Sequence, residues 1–119
     1  MTILVVDDDD HALTFLKAAI SKAGHTAITA NNGADALSIL AHTPINLILL
    51  DIMMPDMDGN EFCSTVRSDP QFEYIPIIFV SALSSLDDIA SAMISGADDY
   101  LTKPVRLQEL YAKIEEYVM

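Results

Sequence analysis

Charged or hydroxyl side chains stand directly after four short apolar runs of this sequence. They are Asp7 and Asp8, Asp51, Ser81 and Lys103. Two carboxylates about 5 Å apart repel each other by roughly 3 kcal/mol at an effective dielectric constant of about 20, so a cluster of three needs a cation. Oxygen ligands without histidine or cysteine suit Mg²⁺, with Mn²⁺ as an alternative. A metal ion, a lysine and a hydroxyl around one carboxylate can stabilise a phosphoryl group in transfer, which makes Asp51 the natural nucleophile.

The apolar runs are typical of strands in a parallel sheet that is covered on both faces. They span residues 3–6, 47–50, 77–80 and 100–102, and a more polar run at residues 26–30 predicts a further strand. The residue just beyond each run then lies at the carboxyl edge of the sheet, where open α/β sheets bind their ligands.

The segments between the strands have apolar residues at helical spacing. The first predicted helix ends at Gly24, the second runs from about Gly33 to His42, the third from about 60 to 68, the fourth ends at Gly96, and the fifth continues almost to the last residue. In the fourth, an apolar stripe is expected to lie mainly in the core, with part of this face left for a partner: Leu86, Ile89, Ala90, Met93 and Ile94. Asp9 or Asp10 is expected to cap the first helix.

Five strand–helix repeats in succession predict a flavodoxin-like α/β fold, a doubly wound five-stranded parallel sheet. Residues 26–30 and 99–102 carry interleaved polar side chains, which places the second and fifth strands at the edges and favours the order 2-1-3-4-5. In that order the first and third strands are neighbours. Asp7, Asp8 and Asp51 are therefore expected to converge.

Length and composition predict one domain over residues 1–119, with no output domain in this chain. No apolar stretch approaches the roughly 18 residues of a membrane span, and the single cysteine, Cys63, fits a reducing compartment, so we expect a cytoplasmic protein that does not bind membranes. The formal net charge of −12 disfavours direct binding to nucleic acid. Metal cations and basic partner surfaces are favoured instead.

Four motifs together resemble a known family. They are VVDD at residues 5–8, DIMMP at 51–55 followed by MDG at 57–59, VSA at 80–82 and GADDYLTKP at 96–104. In this order and at these strand ends they are similar to the receiver domain of two-component response regulators. The resemblance covers essentially the whole chain.

The resemblance implies that Asp51 accepts a phosphoryl group from a phosphohistidine on a histidine kinase or a histidine phosphotransfer protein. Asp8, Asp51 and the backbone carbonyl of Met53 would bind Mg²⁺, with Asp7 acting through water. The chain would be a phosphorelay component and not a turnover enzyme, because it would only phosphorylate and dephosphorylate itself at Asp51.

The resemblance also implies roles for the remaining motif residues. Lys103 would pair with the phosphoryl oxygens, and its bond to Pro104 is expected to be cis. Ser81 and Tyr100 would form a switch pair that reports phosphorylation to a face made of the fourth helix, fifth strand and fifth helix. That face would contact an unknown downstream protein, and the chain would be a monomer or a phosphorylation-dependent dimer.

Two other functions fit parts of this pattern. A flavodoxin-type carrier of flavin mononucleotide shares the predicted strand order, but four consecutive aspartates follow the first strand, where its phosphate loop would lie. An aspartyl-phosphate phosphatase normally needs a second acid two residues after the nucleophile, and Met53 occupies that position.

A calcium loop of EF-hand type is suggested by Asp56, Asp58 and Asn60 at alternate positions. The motif requires glycine at the sixth position and glutamate at the twelfth, which are Glu61 and Arg67 in this chain. The calcium-loop interpretation therefore fails.

Overall fold

The computed structural model describes residues 1–118 as a single sheet of five parallel strands, each followed by a helix. The elements are β1 Thr2–Val6, α1 Asp10–Lys22, β2 Thr26–Ala30, α2 Gly33–His42, β3 Leu47–Leu50, α3 Gly59–Arg67, β4 Ile77–Ser81, α4 Leu86–Ser95, β5 Asp99–Thr102 and α5 Leu107–Glu116. The strand order is β2-β1-β3-β4-β5, which confirms the predicted fold. Within the described residues, no helix is both long and apolar enough to cross a bilayer.

Burial along the strands follows their position in the sheet. All residues of β3 and β4 are buried, whereas β2 and β5 are largely half-buried, so the polar strands lie at the edges as predicted. Alternate side chains of one strand enter different cores. Leu4 packs on one face with Phe62 of α3, while Ile3 packs on the other face with Leu110 of α5.

A short polar side chain marks the start of α1, and a glycine marks the end of α4. Asp9 caps α1 by accepting a hydrogen bond from the His11 amide, and Gly96 ends α4 with a φ of 114°. Helix α5 ends at Glu116, three positions before the last residue of the sequence, which confirms the prediction that it continues almost to that residue. Val118 has helical spacing from Ile114 but lies beyond the helix end and is 39% exposed.

Helix α4 contradicts the prediction that its apolar stripe lies mainly in the core. Only Ala92 of this helix is buried, while Leu86 and Ile94 are 85% and 86% exposed and Met93 is 40% exposed. The helix packs against α3 and β5 with Ala92 buried and Ile89 half-buried, and it leaves the other long apolar side chains in solvent. Helical spacing indicates that a helix has an apolar face but does not show that the chain covers it.

Arg67, the last residue of α3, binds the segment that follows α4. Its Nε donates to the Gly96 carbonyl at 2.8 Å, and its Nη2 donates to the Asp98 carboxylate at 2.7 Å. Its Nη1 donates to the carbonyls of Glu73 and Ile75 at 3.1 and 2.7 Å. One guanidinium group thus joins the ends of α3 and α4 to the start of β4.

Candidate functional site

Three aspartates converge at the carboxyl edge of the sheet. Asp7 and Asp8 follow β1 and Asp51 follows β3, and these two strands pair in parallel with Val6 opposite Leu50. One carboxylate oxygen from each aspartate lies within 4.8 Å of the others. This meeting confirms the convergence expected from the strand order, and its physical cause is the reversal of the winding direction between β1 and β3.

The three carboxylates differ in their environment. Asp7 and Asp51 are 2% and 8% exposed, whereas Asp8 is exposed. The Asp9 amide donates to Oδ1 of Asp7 at 3.0 Å, and the Ile52 amide donates to Oδ1 of Asp51 at 2.7 Å. Each buried carboxylate thus has one oxygen fixed by the backbone and the other free for the pocket.

Lys103 reaches those free oxygens from the end of β5. Its Nζ lies 2.7 Å from Oδ2 of Asp7 and 3.0 Å from Oδ2 of Asp51. Burial alone would lower the pKa of Lys103, but hydrogen bonds to Asp7 and Asp51 outweigh this effect and raise it. Burial raises the pKa of the Asp7 carboxyl group, and the hydrogen bond from Lys103 opposes this in part. The pocket therefore contains a fixed cation among its carboxylates.

The backbone fixes Lys103 on both sides. Its amide donates to the Ser81 carbonyl at 2.9 Å, and its peptide bond to Pro104 is cis.

Ser81 and Tyr100 both contact Leu83, in the loop between β4 and α4. The buried Ser81 Oγ accepts a hydrogen bond from the Leu83 amide at 3.2 Å, and the Tyr100 hydroxyl donates to the Leu83 carbonyl. The Tyr100 ring stacks on Phe79 with 6.0 Å between ring centroids, and burial raises the pKa of its hydroxyl. The structure thus links these two residues through one short segment.

Met53 lies in the loop between β3 and α3, two residues after Asp51, and its side chain is 61% exposed. Gly59 closes this loop by donating from its amide to the Ile52 carbonyl at 2.7 Å. A Cβ atom at position 59 would lie 2.3 Å from the Asp51 carbonyl oxygen and 2.8 Å from Cα of Ile52. The close approach of two backbones therefore requires glycine at position 59.

Asp56 is a loop residue whose contacts the sequence did not reveal. Its two carboxylate oxygens accept hydrogen bonds from the amides of Gly33 and Ala34, at 3.0 and 2.9 Å, in the first turn of α2. Those two bonds lower the pKa of Asp56. Asp58 caps α3 by accepting from the Glu61 amide, so both acids of the failed calcium motif are engaged by helix N-termini.

The donor set fits a magnesium ion. Carboxylates of Asp7, Asp8 and Asp51 are hard oxygen ligands, and the exposure of Asp8 gives an ion access from solvent. Lys103 pairs with Asp7 and Asp51 but supplies only one positive charge, so the cluster of three carboxylates keeps a net negative charge. A divalent cation would neutralise it.

An apolar groove of about 550 Å³ adjoins the pocket. It lies between α1 and the segments that follow β4 and β5, and Lys103 forms part of its wall. Phe15, at 43% exposure, and Val105 contribute apolar surface.

The chain is similar to known proteins over nearly its whole length. A family model described as "Response regulator receiver domain" matches residues 3–115. Protein PilG of Pseudomonas aeruginosa is 36% identical over 99% of this chain and 87% of its own length. The nisin biosynthesis regulatory protein NisR of Lactococcus lactis is 41% identical over 95% of this chain but only 48% of its own length, so the chain spans about half of that relative.

Solved structures agree with these sequence matches. The chemotaxis protein CheY4 of Vibrio cholerae superposes with a TM-score of 0.93 at 26% identity and covers 98% of both chains. A two-component response regulator of Clostridium difficile gives a TM-score of 0.92 at 31% identity, over 98% of this chain and 94% of its own.

Neither the flavin carrier nor the phosphatase finds support in these comparisons. Members of the matched family are regulated by phosphorylation of an aspartate. With the family match over residues 3–115 and an acidic pocket at the expected edge of the expected sheet, this chain belongs to the receiver domains of two-component response regulators.

Proposed function

We propose that Asp51 is the phosphoryl acceptor of this receiver domain and that its donor is a phosphohistidine on a histidine kinase or a histidine phosphotransfer protein. One observation carries the proposal. The Oδ2 atom of Asp51 faces the pocket 3.0 Å from the Lys103 ammonium group, while Oδ1 is held by the Ile52 amide. Asp51 thus presents one oriented oxygen in a pocket of mixed charge.

In the proposed reaction, Oδ2 of Asp51 attacks the phosphorus atom and forms a new P–O bond. The donor reacts with its second ring nitrogen protonated. The P–N bond breaks, its electron pair stays on the nitrogen, and the imidazole therefore leaves as a neutral ring that keeps that proton. Lys103 faces the oxygens of the transferred group and offsets their charge. Mg²⁺, held by Asp8, Asp51 and the Met53 carbonyl with Asp7 acting through water, would supply further charge neutralisation when bound.

Ser81 and Tyr100 are proposed to transmit the modification. The Ser81 hydroxyl would turn towards a phosphoryl oxygen and give up its hydrogen bond with the Leu83 amide. The Leu83 carbonyl also accepts a hydrogen bond from the Tyr100 hydroxyl. A displacement of Leu83 would therefore move the acceptor of the Tyr100 hydrogen bond. The face formed by α4, β5 and α5 would then differ between the two states, and the exposed Leu86 and Ile94 would contact a downstream protein or a second copy of the chain.

The partner classes follow from the chemistry of the surface. The groove beside Lys103 offers apolar surface next to the open side of the pocket, where a donor helix carrying a phosphohistidine could approach. The net charge of −12 favours a donor with basic groups around that histidine and disfavours nucleic acid as a direct ligand. We further propose that residues 1–119 act as one receiver domain that is modified once per cycle and performs no catalytic turnover.

Treatment with Mg²⁺ and acetyl phosphate tests the proposal. We expect one phosphoryl group per chain by intact mass spectrometry, and no label in Asp51→Asn. Asp58→Asn is the matched control, because it removes a neighbouring acid that caps α3 and should still be labelled. A phosphoryl group on another residue, or sustained release of phosphate from a catalytic amount of protein, would contradict it.

A further inference from the structure

We propose that Asp56 is a positioning residue for the metal site, although it does not reach the pocket. The inference rests on the proposed function, in which the Met53 carbonyl is a ligand of Mg²⁺. Met53 lies in the eight-residue stretch 51–58, here called the β3–α3 loop, and Asp56 lies three residues further along this loop. The carboxylate of Asp56 binds α2, an element outside the pocket.

The contact between Asp56 and α2 uses both carboxylate oxygens. The Gly33 amide donates to one at 3.0 Å and the Ala34 amide donates to the other at 2.9 Å. Asn32 satisfies the next free amide of the helix, that of Asp35, at 2.8 Å. Of the first three amides of α2, two therefore donate to a side chain in a loop that lies more than 20 residues away in sequence.

The loop is also attached at its two ends and through two of its methionines. At its start, Asp51 and Ile52 are held against Gly59, and at its end Asp58 caps α3. Between them, Met54 packs against the core, while Asp56 and Met57 meet α2, where the Met57 sulfur would lie 3.1 Å from a Cβ atom on Gly33. Asp56 and Met57 thus bind the same turn of α2, and Asp56 is the polar anchor of the pair.

A carbonyl oxygen is a good metal ligand only when the backbone holds it in place. Met53 has no such support from its own side chain, which is 61% exposed. Asp56 fixes the far end of the segment that contains Met53, and its negative charge is satisfied by helix amides and not by the pocket. Loss of Asp56 should therefore let the Met53 carbonyl move while leaving Asp7, Asp8 and Asp51 unchanged.

Isothermal titration with Mg²⁺ alone tests this inference. We expect Asp56→Ala to bind Mg²⁺ roughly tenfold more weakly than the wild type, the lower end of the range for residues that orient metal ligands. Asp56→Asn retains one oxygen acceptor and should fall in between. It also provides the measurement if Asp56→Ala does not fold. Faster amide hydrogen exchange at residues 53–57 in the metal-free variant is expected alongside.

Asn32→Ala is the matched control, because it removes a cap from the same turn of α2 without touching the β3–α3 loop. It should lower the melting temperature about as much as Asp56→Ala does and leave Mg²⁺ affinity unchanged. Wild-type affinity in both Asp56 variants, or equal weakening in Asn32→Ala, would overturn the inference and leave the proposed function standing. Unchanged binding in Asp8→Asn would show that the ion lies elsewhere and would overturn both.

Discussion

The two loops that flank Asp51 are held in different ways. The β3–α3 loop is anchored to α2 through Asp56, to its own start through Gly59, and to α3 through Asp58. The loop at residues 82–85, between β4 and α4, is held through Leu83 by the side chains of Ser81 and Tyr100, both proposed to respond to phosphorylation.

The helices that follow these loops also differ in how many side chains they bury, and the helix after the more firmly anchored loop buries more. Helix α3 buries Phe62, Cys63 and Val66 completely, while α4 buries only Ala92. One side of the pocket is therefore fixed to the core through several fully buried side chains, and the other is held by Ala92, the partly buried Leu83 and a few polar contacts. This arrangement suits a site that needs a rigid metal-binding side and a mobile reporting side.

Truncation of the two helices should give the largest contrast. Phe62→Ala should lower the free energy of unfolding by about 4 kcal/mol, because it leaves a cavity in the core. Ile94→Ala, which truncates a side chain that is 86% exposed, should change it by less than about 0.5 kcal/mol. Urea denaturation measures both. A cost above about 2 kcal/mol for Ile94→Ala would show that α4 is packed far more firmly than its burial indicates.

The next largest loss of stability is expected from Gly59→Ala, just after the β3–α3 loop. The added methyl group collides with the Asp51 carbonyl oxygen, so we expect a loss of about 3 kcal/mol in stability. Gly24→Ala is the control, since its added methyl meets nothing within 4 Å and only the φ of 89° opposes it, at about 1 kcal/mol. Equal losses in the two variants would mean that backbone contact is not what Gly59 provides.

Tyr100→Phe should make the loop at residues 82–85 more mobile. It removes the hydrogen bond to the Leu83 carbonyl, and we expect a loss of about 1 kcal/mol. Tyr111→Phe removes a similar bond, from the Tyr111 hydroxyl to the Ala19 carbonyl at 3.1 Å, far from this loop. Only Tyr100→Phe should speed amide exchange at residues 83–85. The same acceleration in both variants would argue against local control by Tyr100.

The smallest expected effect is a pH dependence of the Asp56 anchor. Helix amides lower the pKa of Asp56 in the folded state, so its stabilisation is fully present above the unfolded value of about 3.9 and is lost as pH falls through the folded pKa. The difference in melting temperature between wild type and Asp56→Asn should therefore shrink on acidification. A difference that stays constant down to about pH 2 would show that the charge of Asp56 is not involved.

Much of this molecule could be predicted from its sequence because the relevant signals are local. The apolar runs determine the strands, the polar residues of β2 and β5 place those strands at the edges, and each pocket aspartate stands one or two positions beyond a strand. Once the strand order is known, the meeting of Asp7, Asp8 and Asp51 follows from geometry alone.

The features that escaped prediction depend on contacts between distant segments. Asn32 is a sufficient local cap for α2, so nothing in the sequence indicates that Asp56 also binds there. A glycine at the start of a helix fits many turns, and the Asp51 carbonyl that excludes a side chain at Gly59 is visible only in three dimensions. The apolar spacing of α4 is that of a buried helix. The three-dimensional packing is needed to show that the fold buries Ala92 and leaves Leu86 and Ile94 exposed.

The contacts of Arg67 constrain how α4 can move. The arginine fixes Gly96 at the carboxyl end of α4, whereas Leu86 at the amino end is 85% exposed and adjoins the loop held by Tyr100. A displaced α4 is therefore expected to swing about a hinge at Gly96, with the longest arc at Leu86 and little travel at Ser95. Spin labels at positions 86 and 95, each paired with one on α1, would show equal displacements on phosphorylation if the helix instead slid as a rigid rod.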